Sequence, residues 1–218
     1  KISLRDNAGS EVCSFERKAP IWCLTWAPAG SAVSPTTASG AAASSSDCLA
    51  VGCWDQTLSF YQPNGTQSLK DRKLHFYPCS LSYFWDGKYI VIGGSDRRAT
   101  LCTKEAVRLC AICDLPEWVW SVKTQPMPVM HDADGRHNAN APLTVAVGCF
   151  GGTITVYSLN FKHVYGMYDD RYAYRVSMTD VMVQHLPTDH RIKIKCRDCV
   201  KNIAVYKNRL AVQLPDRI

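Results

Sequence analysis

The chain has 218 residues, of which 46% are apolar and 20% charged, with a net charge of +6. This is the composition of a globular domain rather than a disordered or fibrous one, and the length can bury a core without a disulfide or metal staple. No apolar run approaches the roughly 18 residues of a transmembrane segment, and the alternating start Lys1-Ile2-Ser3-Leu4-Arg5 is not a secretory leader.

The chain begins without Met and ends on Ile218, so we expect a piece of a longer protein. Eleven cysteines, an odd number without paired spacing, point to free thiols in a reducing, cytosolic compartment. The charge is uneven. Residues 1–190 hold 17 basic and 17 acidic residues, whereas residues 191–218 hold eight basic and two acidic ones.

In chain order, Ile2-Ser3-Leu4 matches the later Leu58-Ser59-Phe60, so residues 1–16 are expected to supply the last two strands of a preceding repeat unit. Ile21-Trp22-Cys23-Leu24-Thr25-Trp26 then opens a pattern that returns at Cys79–Phe84 and at Val119-Trp120-Ser121-Val122. Each opening strand leads to a gapless repeat, seen at residues 50–61, 91–102 and 146–157. There an apolar pair and a glycine (Gly52, Gly93, Gly148) run into a polar turn and an alternating strand. The turns are Asp55-Gln56, Asp96-Arg97 and Gly151-Gly152, the pattern of a β-hairpin. The glycines are expected to serve by their backbone freedom.

A fourth strand follows each hairpin, near residues 67–70, 108–111 and 164–168. Asn64-Gly65-Thr66 is read as a hairpin turn rather than a glycosylation acceptor. Four strands per unit, with 41 residues from Gly52 to Gly93, is the pattern of a propeller blade. Two stretches exceed it, residues 29–47, with six Ala and six Ser, and residues 126–142. Both fall between the first and second strands of a blade, so both should project from one face of the disc. Three complete blades are expected to about Asp170, followed by off-pattern strands near 180–186, 191–196, 202–206 and 210–214. No segment carries helical periodicity over three turns.

This spacing resembles that of WD-repeat propellers. The usual Trp-Asp pair is replaced by Phe60-Tyr61, Leu101-Cys102 and Val156-Tyr157, while Trp54-Asp55 and Trp85-Asp86 lie at turns. The tail is more specific: Asp169-Asp170-Arg171-Tyr172-Ala173-Tyr174-Arg175, Ser177–Leu186, Ile192–Cys196 and Val200–Pro215. With Lys70-Asp71-Arg72, Gly93-Gly94-Ser95-Asp96 and Trp118-Val119-Trp120, it resembles the WD-repeat propeller subunits of intraflagellar transport complex A.

The resemblance implies an all-β, partial WD-repeat-type β-propeller of about four to five four-stranded blades. Residues 1–170 would be blades of a first propeller, and residues 171–218 would pass into a second. It also implies a non-catalytic scaffold that supports retrograde ciliary transport, cilium assembly and ciliary entry of membrane-protein cargo. Its partners would be other complex A subunits and cargo adaptors in a hetero-oligomer, at the cilium and basal body on the cytoplasmic side. A propeller subunit of a cytosolic vesicle coat is the alternative.

Chemistry-bearing motifs are sparse. Cys110-Ala111-Ile112-Cys113 and Cys196-Arg197-Asp198-Cys199 have zinc-like spacing. Each pair begins in an expected strand, where residues three apart face opposite sides, so structural thiols are the preferred reading. His131, Asp132, Asp134 and His137 crowd one loop but lack the ligand spacing of a calcium site. His185 and His190 flank a turn. Neither a nucleophile elbow nor a phosphate-binding loop before a helix is present, so no enzyme activity, cofactor or metal is expected.

Arg191, Lys193 and Lys195 alternate with Ile192, Ile194 and Cys196, which makes one face of a strand cationic. A lysine-guarded edge is favoured over a surface for an acidic protein or membrane, and nucleic acid is not expected as a partner. Trp22, Trp26 and Trp120 are expected to pack near the propeller axis. Tyr168, Tyr172 and Tyr174, set among Asp169, Asp170, Arg171 and Arg175, have the composition of an interface or domain junction.

Overall fold

A computed structural model of the chain describes residues 1–28, 47–126 and 143–215. Apart from Asp47 and Pro126, the two expected insertions lie outside the described residues, as do His131, Asp132, Asp134 and His137. The described residues are strand and turn throughout, with no helix. They fall into two compact units, Lys1–Ala106 with Cys110–Leu159, and Val107–Leu109 with Asn160–Ile218.

The first unit opens with a hairpin of β1 (Ile2–Arg5) and β2 (Glu11–Phe15). A four-stranded antiparallel sheet follows: β3 (Ile21–Trp26), β4 (Leu49–Cys53), β5 (Thr57–Tyr61) and β6 (Gln67–Lys73). A second sheet contains β7 (Pro78–Tyr83), β8 (Tyr89–Gly94), β9 (Arg98–Thr103) and β10 (Arg108–Asp114). The third contains β11 (Val119–Thr124), β12 (Leu143–Cys149) and β13 (Ile154–Leu159). The first strands follow one another in space, β3 against β7 and β7 against β11.

The repeat recurs in detail. Each first strand carries a bulge at its second residue, where the register slips at Trp22, Cys79 and Trp120. Each second strand is closed by the same backbone bond, from Trp54 N to Pro20 O, Ser95 N to Tyr77 O and Phe150 N to Trp118 O. The following turn places Gln56, Arg97 and Gly152 at φ of 62°, 65° and 83°. Only the third of these has the residue best suited to that region.

Gly52, Gly93 and Gly148 are not in the positive-φ region, so backbone freedom is not their reason for being glycine. A β-carbon on Gly52 would lie 2.6 Å from Cys23 Sγ and 3.1 Å from Pro78 of the next sheet. On Gly93 it would lie 2.7 Å from Val119 and 2.9 Å from Val122. Gly52 and Gly93 permit close stacking of one sheet on the next. At Gly148 the nearest atom would be 3.8 Å away.

The core follows the same seams. Leu58, Phe60, Ile90, Ile92 and Cys102 form one buried cluster, with Leu81 and Tyr83. Ile2, Leu49, Val51, Cys53 and Tyr61 form another, which fixes the first hairpin, and Phe15 stacks on Tyr61 at 4.2 Å. Between the second and third sheets runs a polar seam. Val122 N donates to Ser80 Oγ at 3.1 Å, and the buried Ser82 and Thr124 hydroxyls are 3.0 Å apart.

The expected fourth strand of the third repeat is a correction. Tyr165–Tyr168 does not pair with β13 but is β14, the first strand of a sheet in the second unit. That sheet continues through β15 (Arg171–Ser177), β16 (Asp180–His185) and β17 (His190–Lys195). A final hairpin of β18 (Asn202–Tyr206) and β19 (Arg209–Gln213) covers one of its faces. Ala173, Val181, Val200 and Ile203 are buried together there, and a β-carbon on Gly166 would meet Ile203 O at 2.9 Å.

Candidate interaction surface

Side chains alternate between the faces of a strand, so the register of β14–β17 sorts them. Gly166, Ala173, Val183 and Ile192 form a cross-strand row on the side covered by β18 and β19. The opposite side carries two complementary rows. One runs Tyr165, Tyr174, Met182, Lys193; the other runs Met167, Tyr172, Gln184, Arg191. Lys195 lies across from Asp180 at the end of the same face. Arg191, Lys193, Lys195, Tyr172 and Tyr174, distant in sequence, therefore share one side of one sheet.

The rings are ordered on each other. Tyr172 stacks on Tyr174 at 5.1 Å, and Tyr165 adjoins Tyr172 at 6.1 Å. Tyr165 and Met167 are more than 60% exposed, so the row is open at its β14 edge. Tyr168 does not join this face. It meets Tyr206 edge-on at 5.0 Å, with Lys207 Nζ 5.4 Å from the centre of the Tyr206 ring.

The charges are less cationic than the alternation suggests, because two carboxylates come with them. Lys193 Nζ lies 2.8 Å from Asp180 Oδ2. Arg191 Nε and Nη2 donate to Asp189 Oδ1 at 3.0 and 2.9 Å, and Gln184 Nε2 donates to the same oxygen at 2.6 Å. Asp180 Oδ1 is buried with no hydrogen-bond partner, so Lys193 is the group that compensates that carboxylate. The surface is tyrosine-rich with paired charge, not a bare basic stripe. Sequence reasoning missed Tyr165, Asp180 and Asp189. Asp180 keeps the same alternation as Met182 and Gln184, a signal that was available.

The other expected features are scattered. Cys110 and Cys113 both lie in β10, Cys196 follows β17, and Cys199 is buried. Among the described residues no group of three or more His, Cys, Asp or Glu could hold a metal ion. His185 Nδ1 shares a hydrogen bond of 2.7 Å with Thr188 Oγ1 and faces His190 across the turn.

The tryptophans of the first unit differ from expectation. Trp22 and Trp26 are 47% and 44% exposed, and Leu24 between them shares the same uncovered side of β3. Trp22 stacks on Trp54 at 4.5 Å and meets Trp120 at 5.8 Å, in an exposed aromatic group that extends to Tyr77, Trp118 and Phe150.

Antiparallel four-stranded meanders, stacked first strand on first strand with matching bulges and turns, define the blades of a partial β-propeller. The family model described as the IFT122 second beta-propeller matches residues 165–218. The intraflagellar transport protein 122 homolog of Mus musculus is 45% identical over 221 residues, covering 100% of this chain. The homolog of Xenopus tropicalis is 43% identical over the same span, and that of Homo sapiens 49% over 172 residues, 79% of the chain. The chain spans 13–16% of the length of these relatives. It belongs to the intraflagellar transport protein 122 family, within the propeller region.

Proposed function

We propose that the chain supplies propeller blades to a non-catalytic scaffold subunit of intraflagellar transport complex A. In this role it supports retrograde ciliary transport, cilium assembly and ciliary entry of membrane-protein cargo. The observation that carries the reading is the identity of 43–45% to intraflagellar transport protein 122 homologs over the whole chain. Residues 1–159 are assigned to a first propeller, and residues 160–218, whose β14 pairs with β15, to the passage into a second.

A rigid propeller with ordered exposed aromatics suits partner binding. Aromatic rings offer large contact area at low entropic cost, and paired charges at the edge set register more than affinity. We assign Tyr172, Tyr174, Arg191, Lys193 and Lys195 to a contact with another complex A subunit or a cargo adaptor in a hetero-oligomer. The protein would work at the cilium and basal body, on the cytoplasmic side.

The test is genetic rescue. In ciliated cells lacking the full-length protein, its restored expression should clear transport material that accumulates at the ciliary tip. Normal cilia and normal tip clearance without the protein would reject the proposal.

A further inference from the structure

The second unit contains a cavity of about 350 Å³, bordered by residues 160–165 and by Arg175, Met178, Cys199, Lys201 and Asn202. Met178 and Cys199 are buried, whereas Lys162, His163, Lys201 and Asn202 are exposed, so the depth is apolar and the rim is basic. No carboxylate lines it. Apart from Tyr165 it shares no residue with the tyrosine face, since Arg175 lies opposite Val181 on the other side of the sheet.

Arg175 ties the two walls together. Its Nη1 donates to Val200 O at 2.8 Å and its Nη2 to Lys162 O at 2.6 Å. These bonds hold the guanidinium in place while leaving further N–H donors for a ligand. Asn202 Oδ1 accepts from Ile203 N at 3.0 Å, which leaves the side-chain NH₂ as a donor. Neither Lys162 nor Lys201 has a carboxylate within ion-pair distance among the described residues. The fold thus gathers the cations Lys162, Arg175 and Lys201, up to 39 positions apart in sequence, around one concavity whose lining holds no carboxylate. Like charges so placed repel unless an anion joins them.

The arrangement also selects the kind of anion. A planar carboxylate is best held by the open fork of an arginine, and here both terminal nitrogens of that fork already hold carbonyls. Ammonium groups and single N–H donors around a small volume suit a group with oxygens in several directions. We propose that this cavity binds a compact phosphate-bearing anion, either a soluble phosphate ester or the phosphorylated headgroup of a lipid. This assignment holds whether or not the chain enters complex A.

The experiment uses the whole chain. Pyrophosphate is titrated in by calorimetry, and vesicles of phosphatidylcholine, with and without a lipid ending in a phosphomonoester, are tested for capture of the chain. We expect saturable pyrophosphate binding that the pair Lys162→Glu and Lys201→Glu weakens by about tenfold or more. The pair Lys70→Glu and Lys73→Glu, exposed on β6 of the first unit, should change it by less than about twofold. Circular dichroism verifies that both paired variants are folded. Capture by the phosphorylated vesicles, competed by pyrophosphate, would identify a lipid source, and pyrophosphate binding without capture a soluble one. Absence of both, or equal weakening by the two pairs, would overturn the proposal.

Discussion

Gly93 faces Val119 so closely that a β-carbon on the glycine would lie 2.7 Å from Val119 Cγ1, where the second sheet stacks on the third. Side-chain carbons do not approach that far in a packed interior, so Gly93→Ala must push β8 and β11 apart. Overpacking of this kind costs about 1–3 kcal/mol. Gly148→Ala, at the matching position of the third sheet, meets nothing closer than 3.8 Å and should change stability by less than about 0.5 kcal/mol. Urea unfolding of both variants measures the difference.

Arg17 and Asp71 make a second seam. Arg17 is mostly buried, and its Nη2 donates to Asp71 Oδ2 at 2.8 Å and to Thr57 Oγ1 at 3.1 Å. Burial alone would raise the Asp71 carboxyl, but hydrogen bonds from Arg17, Ser59 and Gln67, with the charge of Arg17, hold it below its ordinary value. A carboxyl lowered in the folded state stabilises fully above its unfolded pKa of about 3.9, and this contribution is lost as pH falls through the lower folded value. Arg17→Ala should cost about 2 kcal/mol near neutral pH, by removing charged hydrogen bonds. The loss should shrink when unfolding is repeated at acidic pH, as Asp71 takes up its proton in both proteins.

The thiols provide an independent probe of burial. Burial pushes Cys23 up to about 12 and Cys48 and Cys79 to about 11, so their reactive thiolates are scarce at neutral pH. Cys110 is exposed on β10. Iodoacetamide should therefore label Cys110 well before Cys23, Cys48 or Cys79 in the native chain, and all of them at similar rates in urea. Peptide mass spectrometry follows the order.

On the tyrosine face, Lys193 and Lys195 should behave differently although both look alike in sequence. Lys193 compensates Asp180, whose side chain is only 13% exposed. Lys193→Ala should cost about 1 kcal/mol by leaving that carboxylate without its cation. Lys195→Ala should stay within about 0.5 kcal/mol. Thermal unfolding distinguishes them.

How much of this was legible depends on how local the signal was. The hairpins announced themselves through Gly52, Gly93 and Gly148 and the turns after them, because turn chemistry is local. The reason for the glycines was not legible, since Val119 and Val122, which crowd Gly93, are distant in sequence. β15 was hidden because Arg171 and Arg175 interrupt its apolar pattern, and Arg175 is occupied with carbonyls that only folding brings near. Tyr165–Tyr168 looked like the close of the third repeat because its spacing from Gly148 suited one; its pairing with β15 depends on the register set by Tyr172 and Tyr174. Trp22, Leu24 and Trp26 keep the alternation of β3, but periodicity does not display which of its two sides is left uncovered.

The central proposal is that these blades belong to a complex A scaffold and touch a partner through the tyrosine face. Affinity purification of tagged full-length protein from ciliated cells, quantified by mass spectrometry, tests it most directly. Wild-type protein should recover the other complex A subunits in comparable amounts. The variant carrying Tyr172→Ala and Tyr174→Ala should remain folded and lose at least one of them. Recovery of vesicle-coat subunits instead, or of no stable partner by wild type, would contradict the scaffold assignment; full recovery by the variant would contradict the tyrosine contact.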